Sequence, residues 1–432
     1  MDSEAFAIRF GFGLPASLAR PPAGPDHAVS TWPGPRLAEI APVVAAYRAA
    51  KKVGDEAAAK QAQQAAEALG LRGARAVFSR ALGSDDPFRE RLVAFWANHF
   101  TVVPRNRIEA ALPSALIDEA IRPHVTGRFA DMLRAVTTHP AMLIYLNQDA
   151  SFGPGSPKGK RQKKGLNENL ARELLELHTL GVGSAYSQRD VRQLAELLTG
   201  LAVRPGGYVF DDRRAEPGAE TVLGVTYSGT GEAPVLQVLD DLAARPETAG
   251  HLASKLAVHF VADAPDPGLV ADLAARFRAT EGDLAAVAAA LIEHPAALKG
   301  EKTRQPFDYM VAAMRALGLG ADAISGLSPR AFRRLVLLPL RAMGQPFQRA
   351  PGPDGWPEAA ADWITPQGLA ARIDWAMQAP ERLVRLLPDP RAFLTVALAD
   401  RAGERLRWAV GAAESARDGV GLVLASPEFN RR

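Results

Sequence analysis

The sequence predicts a mostly α-helical protein, and three observations carry that reading. Apolar residues recur at helical spacing through most of the 432-residue chain. Prolines stand just after Asp86, His139, Arg245, His294 and Ser426, where new helical stretches begin, as the first turn of a helix prefers. Strand-like material is confined to residues 208–210 (Tyr-Val-Phe) and 221–223 (Thr-Val-Leu), which read as one small hairpin around the turn Glu216-Pro217-Gly218. The whole reads as a single large helical domain over 1–432, or as two lobes near 1–200 and 201–432, because no long linker separates independent units.

Taken in order, residues 9–36 are rich in Gly and Pro and read as an irregular entry segment. Residues 37–69 are Ala-rich with Lys, Glu and Gln between the alanines, which predicts one long helix or two stacked ones broken at Gly54. A short helix follows at 71–82. Asp86-Pro87 opens the next helix, where Leu92, Phe95, Trp96 and His99 fall at i, i+3, i+4 and i+7, so His99 shares the aromatic face. A buried, hydrogen-bonded structural histidine is the bland reading, and a proton-transfer or ligand histidine the sharp one. Residues 108–122 and 128–138 continue as amphipathic helices. The segments Thr138-His139-Pro140-Ala141 and Glu293-His294-Pro295-Ala296 echo one another and read as helix corners with structural histidines. Residues 149–165, with Lys158, Lys160, Arg161, Lys163 and Lys164, read as a mobile solvated loop, the alternative being an anion-binding lid.

The densest chemistry lies in 167–182, Asn-Glu-Asn-Leu-Ala-Arg-Glu-Leu-Leu-Glu-Leu-His-Thr-Leu-Gly-Val. At about 100° per residue, Glu168, Arg172, Glu173 and Glu176 share a polar arc, and Leu170, Leu174, Leu175 and His178 the apolar one. Asn167 suits the N-cap and Gly181 the left-handed stop. Glu176 and His178 are two residues apart and cannot ligate one metal from a straight helix. Glu168, Arg172 and Glu176 follow i, i+4, i+8, the spacing of a charge ladder. If the arc points inward, Glu173 needs a cationic partner, for which Lys255, His259 or a divalent ion are candidates; calcium or magnesium suits such oxygen ligands. His178 reads as a buried, hydrogen-bonded core histidine. Ser187 with Asp190 forms a capping box for an antiparallel partner helix over 187–198.

Beyond the hairpin the chain is helical again. Lys255 and His259 stand at i, i+4 and can reach one site. Residues 345–365 form a second Pro/Gly-rich loop whose Trp356 and Trp363 are expected to dock into the body, near a functional cleft.

The 167–182 run, with Tyr186–Val191 and Leu198-Thr-Gly200, resembles the bacterial domain-of-unknown-function family 1800. Arg9-Phe-Gly-Phe-Gly13, Phe95–Val102, Gly355-Trp356 with Trp363, and Ser426–Phe429 carry the same resemblance across nearly the whole chain. It implies a mostly helical bacterial protein without a settled activity, with relatives that are often exported and with a sulfatase-like protein, encoded nearby, as partner. Many relatives carry His before the Glu-Pro-Gly turn where this chain has Ala215.

Composition excludes several classes. A formal charge of +3 on 432 residues is too small for a dedicated nucleic-acid binder. There are no cysteines, hence no disulfide, thiol nucleophile or cysteine metal site. No apolar run is long enough to span a membrane, and the first residues have neither a basic n-region nor a long apolar h-region, so the chain as written is expected in the cytoplasm. No nucleophile elbow, P-loop, zincin motif or dinucleotide fingerprint is present. Two functions follow. One is a non-enzymatic scaffold or binding protein acting with an envelope or secretion partner. The other is a hydrolase or transferase, metal-assisted or not, drawing its acid and base from the 167–181 helix; Glu173, Glu176 and Arg172 should then line a pocket.

Overall fold

A computed structural model describes residues 3–14, 27–163, 165–205 and 207–432. It is 65% helical and holds two small two-stranded antiparallel sheets, so the helical class stands. The Ala-rich stretch forms Leu37–Val53 and Glu56–Gly83, split at Gly54, which adopts a left-handed φ of 75°. The second of these absorbs the separate helix expected at 71–82. Asp86 caps Pro87–His99, accepting from the Arg89 N–H. The Ser187/Asp190 capping box opens Gln188–Leu197. At the two His-Pro corners, His139 and His294 each accept the backbone N–H two residues on, both at 3.1 Å, so the echoed sequence is an echoed cap.

The strand segments pair differently from the expected hairpin. Gly207–Phe210 pairs with Leu201–Arg204, and Glu220–Val222 with Val225–Tyr227. The second turn is the two-residue Leu223-Gly224, both at positive φ, a geometry that matches the twist of adjacent strands. Glu216-Pro217-Gly218 joins two hairpins instead of closing one.

The basic stretch after Asp149 is also not the mobile loop expected. Pro157–Gln162 is helical, and the Gly155 N–H donates to Glu216 at 2.7 Å. Lys158 pairs with Asp211 at 2.5 Å, and Arg214 donates to the carbonyls of Asp149 and Ser151. Side chains from the hairpin region thus supply the partners that composition could not show. Lys164 of that stretch, and part of the 9–36 entry segment, lie outside the described residues.

The apolar interior falls into two clusters. The first takes Phe6 and Phe10, then runs through Phe88–Phe100, the 167–182 run and the helix Pro246–Phe260 to Ala297. The second joins Phe12 and the C-terminal half of Glu56–Gly83 to Pro306–Ala316 and the helices beyond. The helix Pro87–His99 belongs to the first cluster and turns one flank toward the second, and a cleft opens between them.

Candidate functional site

The cleft between the clusters has a volume of about 160 Å³. Its walls are chiefly apolar: Val93 and Ala97 from Pro87–His99, Phe12, Phe307, Leu340 and Phe347 from the other side. Four uncharged amides, Asn98, Gln305, Gln345 and Gln348, punctuate them. The 345–365 loop forms the lip. Gly355 sits at φ +86°, and a Cβ there would lie 2.5 Å from both the backbone and side-chain oxygens of Asn98, so only glycine permits this approach. The approach lets Asn98 clamp the next residue from both sides: its Oδ1 accepts the Trp356 N–H at 2.6 Å and its Nδ2 donates to the Trp356 carbonyl at 3.1 Å. Trp356 lines the cleft, while Trp363 is buried beside it with ring centroids 6.0 Å apart. Both tryptophans dock into the body.

Every charged or imidazole group in the cleft wall is already engaged. Glu90 takes a two-pronged bond from Arg122 at 2.8 and 2.7 Å. Asp308 binds Arg91 at 2.6 Å and Arg432 at 2.8 Å through one oxygen. His259 Nδ1 lies 2.7 Å from Glu358, whose other oxygen receives Gln305 at 3.2 Å and stands 3.5 Å from Lys302. Burial alone would raise the Glu358 carboxyl, but His259, Lys302 and Arg91 outweigh it and hold the group below its ordinary range. Behind the cleft therefore lies a buried ionic network in which each carboxylate has at least one cationic or imidazole partner, and Arg91, 3.3 Å from His259 Nε2, joins the Asp308 and Glu358 groups.

The 167–182 run lies elsewhere. Asn169–Glu173 is α-helical and Leu174–His178 widens into a π-turn. The Asn167 side chain accepts the Asn169 N–H at 3.0 Å, and Gly181 stops the helix at φ +92°. The charge ladder forms: Arg172 reaches Glu176 at 3.1 Å and Glu168 at 3.6 Å, with the three side chains 25–40% exposed. None of Arg172, Glu173 and Glu176 lines the cleft. The cationic partner expected for Glu173 is also not found among the described residues. Its surroundings are Glu176 and Asp354, and burial together with these two raises its carboxyl to about 7, with Arg172 opposing weakly. Lys255 is influenced by Glu358 and Asp354 instead, and His259 is committed to Glu358.

Lys255 belongs to a group of three histidines. Burial, then Lys255, depress His99, His178 and His251, with His178 brought to about 3. The Lys255 ammonium is itself lowered by burial, with Glu358 and Asp354 pulling it back. Geometry explains two of these rings. The π-turn leaves terminal carbonyls without intrahelical donors. His99 Nε2 lies 3.2 Å from the His178 carbonyl and His251 Nε2 lies 3.0 Å from that of Leu177. A carbonyl only accepts, so both nitrogens carry their protons and both histidines cap the helix end. Thr179 Oγ1 and the Gly181 N–H cover the Leu174 and Leu175 carbonyls in the same way. His99 is thus buried and hydrogen-bonded, as its aromatic face implied. His178 is equally buried, but the hydrogen bond expected of its ring is not found among the described residues, and its Nδ1 has no partner.

Of the residues singled out from sequence, Trp356 and His259 meet in the cleft, Lys255 joins His99 and His178 behind the helix end, and the Glu168–Glu176 arc stands apart. The four amides, Asp308, Glu358 and the arginines 91 and 432 were missed. Asp308 in a first helical turn looks like a dipole-compensating acid, and nothing local reveals that two distant arginines converge on it. Among the described residues no three His, Asp or Glu side chains are placed to hold a metal ion, so the oxygen ligands expected to suit calcium or magnesium do not converge. Among the described residues no helix is long and apolar enough to cross a membrane.

A family model described as a protein of unknown function, DUF1800, matches residues 6–431. No curated protein and no solved structure matches the chain.

Proposed function

The chain belongs to the DUF1800 family of proteins of unknown function, and we propose that within it this protein is a non-enzymatic binding protein whose cleft receives a small apolar group. One observation carries the reading: the cleft has chiefly apolar walls punctuated by uncharged amides, while its ionisable groups are consumed by the network behind it. Apolar walls with a few convergent polar groups are the general form of a ligand site. A general acid or base must instead be free to exchange a proton with the substrate. A volume of about 160 Å³ accepts one aromatic ring or a short acyl segment, since a cavity of about 150 Å³ takes benzene. The envelope or secretion partner, for which the family resemblance suggests a sulfatase-like protein, would receive or deliver that ligand.

The test is a thermal melt with indole or pentanol. Saturating ligand raises the melting temperature of the parent, and Ala97→Leu, which fills the cleft from its wall, removes the increase. A parent indifferent to every apolar probe refutes the reading.

A hydrolase or transferase is the second reading, favoured by the Glu173 carboxyl at about 7, with Tyr145 and Asp354 nearby. Turnover of any ester or glycoside that disappears in Glu173→Gln, with the fold retained, selects it over the binding reading.

A further inference from the structure

Pro329–Phe332, Arg333–Leu337 and Leu338–Ala342 form one helical run, widened into a π-turn over its middle part. Phe332, Val336 and Leu340, spaced i, i+4, i+8, anchor it in the second apolar cluster. The opposite face of the run stands between two depressions. One is a groove of about 830 Å³ lined by Arg333, Arg341 and Arg349. On the other flank two smaller hollows share Arg334 and Arg382, and one of them also takes Arg330. Leu338 lines the large groove and a smaller hollow alike, so it forms the crest between them, and it is 58% exposed.

Little on either flank compensates this charge. Two carboxylates line the depressions, Glu67 and Asp374. Glu67 is taken by Arg107 at 3.2 Å, and Asp374 accepts from Gln378. Among the described residues the side chains of Arg330, Arg333, Arg334, Arg341 and Arg382 have no hydrogen bond or ion pair. Arg349 donates to the Pro104 carbonyl at 3.3 Å, which leaves its charge uncompensated. Single exposed arginines are ordinary. Six without a carboxylate partner, on both flanks of one helical run with a leucine at its crest, are a concentrated positive face on a chain whose formal charge is only +3.

We infer that this face rests on a membrane surface bearing anionic lipid, with Leu338 entering between head groups and the arginines of both flanks pairing with lipid phosphates. Such a peripheral contact needs no membrane-spanning segment. The two-sided layout favours a bilayer over a single bound chain. A peptide lying in one depression reaches one bank of arginines and leaves the other unmet. A sheet of phosphates meets both banks at once, and long arginine stems carry their guanidinium groups to it while the methylenes cover apolar surface. The contact is independent of the cleft, since Arg333, Arg334, Arg341 and Leu338 do not line it.

Sedimentation is measured with vesicles of phosphatidylcholine alone and of phosphatidylcholine mixed equally with phosphatidylglycerol, for the parent and for Arg330→Gln/Arg333→Gln/Arg334→Gln/Arg341→Gln. The parent is expected to bind the mixed vesicles about 10-fold or more tightly than the neutral ones, with the advantage shrinking as salt is raised. The variant loses that advantage. Glutamine has nearly the helix propensity of arginine and the four side chains are exposed, so the variant's thermal melt should match the parent's. A second measurement removes no arginine. The chain has no cysteine, so Leu338→Cys accepts a single environment-sensitive fluorophore. Val53→Cys with the same label is the control, because Val53 is 77% exposed and lines none of the three depressions. The label at position 338 is expected to shift to the blue on mixed vesicles and the label at position 53 to stay unchanged. A parent indifferent to mixed vesicles, an advantage that survives in the arginine variant, or labels that respond alike at both positions overturns the inference. So does tighter binding of poly-glutamate or of single-stranded DNA than of mixed vesicles at the same salt, since the face would then belong to an acidic protein or a nucleic acid.

Discussion

Two regions of this molecule carry concentrated charge, and they behave oppositely. On the 167–182 run, Glu168, Arg172 and Glu176 form a ladder along one helix, half open to water and local in sequence. Behind the cleft, Arg91, Asp308, Arg432, His259, Glu358 and Lys302 come from widely separated segments and are mostly buried. The first is the conspicuous cluster in the sequence, and the second is invisible there. Water screens the first, so each bond in it contributes little. In the second, desolvation makes any unpaired charge expensive, so the residues hold one another in place. A dense run of charge in a sequence thus marks a helix surface here, whereas the charge that the cleft depends on is assembled by the fold.

The comparison breaks most easily at Asp308. Asp308→Ala leaves Arg91 and Arg432 buried without their shared carboxylate and should cost about 3–5 kcal/mol in a denaturant melt. A loss below 1 kcal/mol would make the buried network no stiffer than the surface ladder. Glu358→Gln is expected to cost about 1.5–3 kcal/mol at pH 7, since charge-assisted bonds to His259 and Lys302 are lost. Its sign with pH follows from the lowered carboxyl. The parent's advantage is full above the ordinary value of 4.5, and it disappears as pH falls from there through the lower folded-state value. Melts of parent and variant from pH 3 to 7 should therefore converge at the acid end.

Glu173 sharpens the contrast, because it is the ladder helix's one poorly compensated acid. Its carboxyl is raised from 4.5 to about 7, so the folded state loses stability as pH rises through that interval. Glu173→Gln should leave the melt unchanged near pH 4.5 and stabilise the protein by up to about 1 kcal/mol at pH 8, solvent screening limiting the gain. A variant less stable than the parent at pH 8 would reveal a favourable contact for the charged form. The smallest effect is expected at the ladder itself. Arg172→Gln should change stability by no more than about 0.5 kcal/mol, and added salt should reduce the difference further.

How much of this was legible in the sequence follows the same division. Whatever depends on neighbours along the chain could be read: the break at Gly54, the Asp86-Pro87 start, the Ser187/Asp190 box, the Glu168–Arg172–Glu176 ladder and the stop at Gly181. The docking of Trp356 was legible from the cost of exposing an indole. The hairpin pairing was not, because residues 208–210 and 221–223 are equally good strands for any partner and the decisive signal was the Leu223-Gly224 turn. Nor was the capping of the π-turn by His99 and His251, which needs a carbonyl freed by a local widening that no periodicity announces. The cleft's amides and the Arg91–Asp308 pair, 217 residues apart in the chain, belong to tertiary structure alone.

Two guanidinium groups from opposite ends of the described chain close on the end of one helix. Arg9 donates to the Val261 carbonyl, and Arg432 donates to the His259 carbonyl. On a ribosome this sets a schedule. Arg9 precedes its acceptor by 252 residues, which at ordinary elongation rates is roughly 10–50 s of synthesis. For that time the phenylalanines beside it, Phe6 and Phe10, lack the aromatic wall completed by Phe260. The buried salt network closes later still, when Arg432 arrives at Asp308. Folding is therefore expected to be slow, since it depends on contacts between segments far apart in the chain.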